Sequence, residues 1–282
     1  MPELATAVRE LTFGDAIKEA IAEEMRRDPT VVLMGEDVAE AGTTFKVLVG
    51  LVDEFGKDRI IDTPISEAGF TGLGVGAAMA GMRPIVDIMF GDFLMIIMDQ
   101  VANQAAKIHY MSGGKWKVPI VIRATMGATR RSAAQHSQSL HAWPSHIPGL
   151  KVVVPSTPYD AKGLFKAAVR EDNPVVIFEH KISYRKVKGP VPDEDYIIPL
   201  GVADVKRQGT DITSSRSAAW CRSRLVRRRC SRKSASAPRS STRAPRGRST
   251  RRRSSNPSRR PRAASSSTRV TSATASPASW RR

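Results

Sequence analysis

The stretch from Arg59 to Gly81, RIIDTPISEAGFTGLGVGAAMAG, constrains the fold more than any other. It opens on a short apolar run, Ile60 and Ile61, of the kind found in buried strands. Thr63-Pro64 turns the chain, and Ser66 stands where a helix N-cap belongs. The helix behind it is built of small residues: Gly69, Gly72, Gly74, Gly76, Ala77, Ala78, Ala80 and Gly81. Each glycine costs a helix up to about 1 kcal/mol relative to alanine. So many together imply close approach of the helix backbone to a neighbour or ligand. Glu67 is the one carboxylate in the first turn. Position alone allows a solvated side chain favoured by the helix dipole. The carboxyl ends of parallel strands are also where α/β proteins bind ligands, so Glu67 is placed to meet one.

The same alternation runs through the body of the chain. Thr12 and Asp15 read as a capping box opening a helix to about Arg27, with Ala16, Ile17, Ala20, Ile21 and Met25 on its apolar face. Val31–Met34, Pro84–Met89, Val118–Arg123, Leu150–Val154 and Val175–Glu179 read as strands. Asp92 is placed to cap one continuous helix from Phe93 to Tyr110. Thr157-Pro158 supplies a cap and first position for a helix to Arg170. Strands alternating with helices predict an α/β fold, a parallel sheet flanked by helices on both faces. Val202–Val205 would begin another strand, and there is no internal repeat.

Composition breaks sharply after Asp211. The net charge is +18, but beyond Asp211 there are 21 Lys or Arg and no Asp or Glu. The preceding part therefore has 24 basic and 27 acidic residues, as an ordinary globular domain would. The tail, rich in Arg, Ser, Ala and Pro, has too little apolar surface to offset chain entropy and is expected to be disordered. Both cysteines, Cys221 and Cys230, lie in it, so the body has no disulfide or thiolate metal site. No secretory leader is expected before Leu11, and the longest fully apolar run, Phe93–Met98, is far too short for a membrane span. A cytoplasmic location is the default expectation.

TPISEAGFTGLGVGAAMAGMRPIVD, MDQVANQAAKIHYMSGG, AAQHSQSLHAW, PGLKVVVPSTPYDAKGL and REDNPVVIFEH occur in this order. Together they closely resemble the beta subunit of thiamine-diphosphate-dependent 2-oxo acid dehydrogenases, of the pyruvate and acetoin dehydrogenase types. The resemblance runs from about Leu11 to Thr213. It implies the thiamine-diphosphate-binding fold, with residues 1–200 as its pyrimidine domain. Residues 201–213 would begin a truncated second α/β domain, and 214–282 are the low-complexity tail. The implied reaction is oxidative decarboxylation of pyruvate with acyl transfer to a lipoyl carrier; acetoin cleavage is the alternative.

The resemblance also assigns roles. Glu67 would hydrogen-bond N1′ of the cofactor's aminopyrimidine and favour the imino tautomer, whose 4′ nitrogen takes the thiazolium C2 proton. That work needs a carboxyl able to share a proton near neutral pH; burial raises its pKa and the helix terminus lowers it. His136, otherwise an ordinary loop histidine, would handle the substrate or intermediate at the cleft mouth and engage the lipoyl group. Met89 and Phe93, otherwise core packing, would lie on the aminopyrimidine. Ile120, Ala168, Val169, Glu171 and Asn173 match a potassium site formed mostly by backbone carbonyls in some relatives. His109, His141, His146 and His180 read as structural. Arg130 and Arg131 stand where relatives carry small residues, facing either an anion or water. The GDG motif that holds diphosphate and magnesium is absent: only GDA at Gly14 and GDF at Gly91 occur. An alpha subunit is therefore implied to hold magnesium and diphosphate, with the cofactor between the chains. The implied partners are that alpha subunit, in a heterotetramer, and a lipoyl-bearing acyltransferase.

Other classes fit less well. Gly74-Val75-Gly76 starts a dinucleotide fingerprint, but Met79 occupies the third glycine's place. A polyanion-binding tail has charge in its favour; yet it carries only two aromatics, Trp220 and Trp280, and no recognisable nucleic-acid-binding pattern. Out-of-frame translation accounts for the tail better. One base lost after Ile212 allows Ser214–Arg224 to be reread as VVALGRMVQVA, Ser240–Ala244 as VIDPR, and Ser265–Ser279 as VVVDEGHLSYGVTGE. These three segments resemble the family's second domain in order.

Overall fold

The computed structural model describes residues 8–129 and 131–204. Arg130, the tail and any strand continuing past Asp204 lie outside them. Strand β1 (Val8–Thr12) leads into helix α1 (Phe13–Arg27). Thr12 is its N-cap, accepting from Asp15 N at 3.1 Å while its hydroxyl donates to Asp15 Oδ2 at 2.6 Å. β2 (Val31–Gly35), α2 (Leu51–Phe55), β3 (Ile60–Asp62), α3 (Glu67–Met79) and β4 (Arg83–Phe90) follow. After three short helical turns come β5 (Val121–Met126), α5 (Ala142–Ser145), β6 (Lys151–Val153) and α6 (Pro158–Arg170). β7 (Val175–His180), α7 (Ser183–Lys186) and β8 (Lys188–Pro192) complete the fold.

Six strands form one parallel sheet in the order β3-β2-β4-β5-β7-β6. Alternate residues point to opposite faces, which is why the strands are apolar throughout. Leu33, Ile85, Val121, Val175 and Ile177 pack against α1 and α6, with Phe13, Ile17, Ile21 and Phe165. Val32, Val86, Ile122, Val176 and Phe178 pack on the other side with Phe70 and Val75 of α3 and with Leu94, Ile97 and Val101. α6 carries a full capping box, Thr157 with Asp160, and Pro158 in its first turn. Between α1 and α6 the buried Lys162 and Lys166 reach Glu19 and Glu23, and Arg170 reaches the buried Glu24.

Three expectations are corrected. The helix predicted over 93–110 is broken into a 3-10 turn (Gly91–Met95), a π turn (Asp99–Ala105) and α4 (Ile108–Met111). Asp92 makes no cap; its Oδ1 accepts from Gln138 N at 3.2 Å. Without a cap the first turn tightens, and the three-residue spacing puts both Leu94 and Ile97 in the core. Ser66 is the N-cap residue of α3, as expected, but its side chain makes no cap hydrogen bond; its Oγ lies 2.7 Å from where a Cβ on Gly69 would fall. Val202–Asp204 is not strand, and Val202 is exposed. The edge pair β1–β8 was not expected, and joins the two ends of the described body antiparallel.

The small residues of α3 divide by face. A Cβ on Gly74 would come within 2.7 Å of Val86, so glycine there lets the helix lie directly on the sheet. Gly76 meets nothing within 4 Å. No helix among the described residues is long and apolar enough to cross a membrane.

Candidate active site at the carboxyl edge of the sheet

Because the strands are parallel, their carboxyl ends share one edge. Across it, in sheet order, stand Glu67 after β3, Glu36 after β2, Met89 and Phe93 at the end of β4, His136 after β5, and Lys181 after β7. From β3 to β5 is three strand spacings, about 14 Å. Glu67 is buried, at 9% exposure. Glu36 Oε1 is buried with no hydrogen-bond partner among the described residues. Burial, followed by the negative charge of Glu67, pushes the Glu36 carboxyl above its ordinary value.

Met89 occupies a bulge in β4, where pairing with β5 shifts between Asp87 and Phe90. Its φ is +56°, a left-handed conformation that costs a non-glycine residue about 1–3 kcal/mol. Asp87 stabilises the bulge by accepting from Met89 N at 2.8 Å, and Thr44 Oγ1 donates to Met89 Sδ at 3.3 Å. Phe90 and Phe93 bring their rings to His136, at centroid distances of 4.4 and 5.5 Å, both edge-on. The structure thus brings His136 and Phe93 together, with Met89 next to Phe90 on β4, while Glu67 stands across β2 near Glu36.

Beneath the bulge lies a fully buried ion cluster. Arg123 donates to Glu179 at 2.7 and 2.8 Å, to Tyr184 Oη at 3.2 Å and to Asp87. Burial opposes the Arg123 charge, but Glu179 and Asp87 outweigh it and raise its pKa. Burial raises Glu179, against the pull of Arg123. Removing the cation leaves two buried carboxylates unpaired. Arg123→Met should therefore destabilise the fold by about 3–5 kcal/mol. Urea unfolding measures this, and a loss below about 1 kcal/mol would contradict it.

The residues matched to a potassium site gather where α6 turns into β7. Val175 N donates to Ile120 O at 2.9 Å, and Glu171 N to Ala168 O at 3.3 Å. Arg83 donates to the carbonyls of Val169 and Glu171 at 3.0 and 3.1 Å. The Glu171 side chain holds Lys151 and Asn173. Each carbonyl keeps a second lone pair. Among the described residues no three of His, Cys, Asp or Glu are grouped to hold a metal ion. Arg131 is exposed. His109 Nδ1 lies 2.9 Å from Trp116 O, and burial lowers the pKa of both His141 and His180.

Glu36, Asp87 and Lys181 were not singled out by sequence reasoning. The available signal was position: Glu36 and Lys181 directly follow apolar strands, in GED and FEHK, and Asp87 interrupts one, in VDIMF.

The family described as transketolase, pyrimidine binding domain, matches residues 9–187. The chain is 52% identical over 203 residues to a 2-oxoisovalerate dehydrogenase subunit beta of Bacillus subtilis, covering 72% of this chain and 62% of that one. It is 53% identical over 217 residues to the beta subunit of an acetoin:2,6-dichlorophenolindophenol oxidoreductase of the same organism, covering 73% and 63%. A Rhizobium meliloti pyruvate dehydrogenase E1 component subunit beta is 51% identical over 208 residues, covering 74% and 45%. The chain thus spans less than two thirds of these relatives. The solved transketolase of Leishmania mexicana superposes with a TM-score of 0.50 at 15% identity, covering 70% of this chain and 28% of that one, a likeness of fold alone. The chain belongs to the family of transketolase pyrimidine binding domains.

Proposed function

We propose that this chain is the beta subunit of the thiamine-diphosphate-dependent first component of a 2-oxo acid dehydrogenase, passing the acyl group from its substrate to a lipoyl carrier. The observation that carries the reading is the row of Glu67, Glu36, Met89, Phe93 and His136 along one sheet edge. Pyruvate is the substrate of first choice. Acetoin remains the second, favoured by the 53% identity to an acetoin oxidoreductase subunit.

The residues suit the cofactor's aminopyrimidine. The buried Glu67 and the half-buried Glu36, one of whose oxygens is enclosed with no partner among the described residues, supply acceptors for ring N–H groups, and Met89 and Phe93 offer apolar surface. When bound, the cofactor supplies a thiazolium carbon acid. Glu67 hydrogen-bonds the ring nitrogen, with Glu36 as its neighbouring carboxyl. Met89 and Phe93 orient the ring and exclude water. His136, held between Phe90 and Phe93, receives the substrate carboxylate and then the lipoyl group. Diphosphate and magnesium are assigned to an alpha subunit, in a heterotetramer. A potassium ion is assigned to the carbonyls around Ile120, Ala168, Val169, Glu171 and Asn173. Residues 1–200 form the pyrimidine domain, 201–213 begin a second domain, and the chain is read out of frame from Ser214. The location is cytoplasmic.

His136→Ala tests the reading in the complex with the alpha subunit. Reductive acylation of the lipoyl domain should fall at least about 100-fold, the scale of a lost acid–base group, with cofactor affinity within about twofold of wild type. Collapse of cofactor binding with acyl transfer intact would overturn the assignment.

A further inference from the structure

The loop that carries His136 is strained and short of regular structure. Arg131 and Ala133 adopt φ of +55° and +59°, and a single 3-10 turn, Ala134–His136, delivers the histidine. Such conformations persist only where surrounding contacts over-determine them.

The contacts come from two strand ends. Lys181, 7% exposed, follows β7, and its backbone N donates to Met126 O at 3.2 Å, so its stem is fixed to the end of β5. Its ammonium donates to the carbonyl of His136 itself. It also lies 5.1 Å from the centroid of the Phe90 ring, whose partner in an edge-on contact is the His136 imidazole. Two residues on, Gln138 N donates to the buried Asp92 at 3.2 Å, and Gln138 O accepts from Gly127 N at 3.2 Å. The second Asp92 oxygen is buried with no hydrogen-bond partner among the described residues. A surface lysine and a helix cap, the ordinary uses of these residue types, are both excluded by this burial and geometry. Burial pushes the Lys181 ammonium below its ordinary value, and Asp92 partly offsets this. A buried cation holding a backbone carbonyl is a costly arrangement unless it fixes something.

We propose that Lys181 and Asp92 are positioning residues that clamp the main chain at His136 and two residues beyond it, holding its imidazole against Phe90 and Phe93 before any substrate arrives. The clamp matters to catalysis only if His136 acts as proposed above, but its geometry is testable without that reaction.

The test uses the full chain and reads His136 directly. Carbethoxylation by diethyl pyrocarbonate, followed by mass spectrometry, gives the modification rate of each histidine, with His109 as the internal reference for general loosening. Lys181→Met should raise the His136 rate about tenfold with His109 unchanged, and Lys181→Arg should restore it to within about twofold of wild type. An unchanged His136 rate in a folded Lys181→Met protein overturns the proposal. Should that variant fail to fold, hydrogen exchange of the wild-type chain decides: the Gln138 amide should exchange at least about tenfold more slowly than the amides of Ala128, Thr129 and Arg131. Equal rates overturn the clamp. A confirmed clamp together with unimpaired acyl transfer in His136→Ala would refute the role given to His136 and leave the clamp standing.

Discussion

Glu67→Gln, in the complex with the alpha subunit, should abolish exchange of the cofactor's C2 proton, slowing it at least about 100-fold, while the fold and cofactor binding survive. The side chain keeps its size and a carbonyl acceptor, so packing at the start of α3 changes little. What is lost is the capacity to hold an exchangeable proton, which general acid–base catalysis uses for about 10²–10⁴-fold. Glu36 provides a second readout. Its carboxyl is raised by burial first and by the Glu67 charge second. A raised carboxyl stabilises the fold below the ordinary carboxylate range, and this contribution disappears as pH rises through the folded value. Removing the Glu67 charge should narrow that pH window from above, as unfolding midpoints between about pH 4 and 7 would show. Unchanged C2 exchange, followed by NMR in deuterated buffer, would remove Glu67 from the mechanism.

The other large effect concerns the second domain. Restoring one base after Ile212 should yield a chain of the relatives' length, about 330 residues, since 203 aligned residues make up 62% of one relative. The restored chain should form a stable complex with an alpha subunit, where the present chain should form little or none. The proposed frameshift would act through burial: a pyrimidine domain without its second domain would leave apolar docking surface uncovered. Size-exclusion chromatography with light scattering distinguishes the two, and an alternative frame lacking any second domain in the nucleotide sequence would end the idea.

Elements set by neighbours in sequence were legible from the sequence. Thr157, Pro158 and Asp160 begin α6, and Thr12 with Asp15 begins α1, because caps are closed within one turn of chain. The apolar strands were legible because a sheet covered on both faces needs no polar side. The β1–β8 pair was not, since Pro190 and Pro192 argue against a strand except at an edge. The helix over 93–110 failed for a different reason: Asp92 is claimed by Gln138, a residue 46 positions away.

For the site, the sequence by itself placed Glu67 at a strand end and, by resemblance, named His136, Met89 and Phe93. Only the tertiary structure decided what surrounds them. The β3-β2-β4 order puts Glu36 near Glu67 although they lie 31 positions apart. Arg123 and Asp87 lie on adjacent strands, and their pairing is what lets Asp87 hold the strained bulge at Met89. Lys181 meets His136 because β5 and β7 are neighbours. Spacing along a chain encodes local geometry; burial, charge pairing and strain depend on which strands lie side by side, and folding alone brings those together.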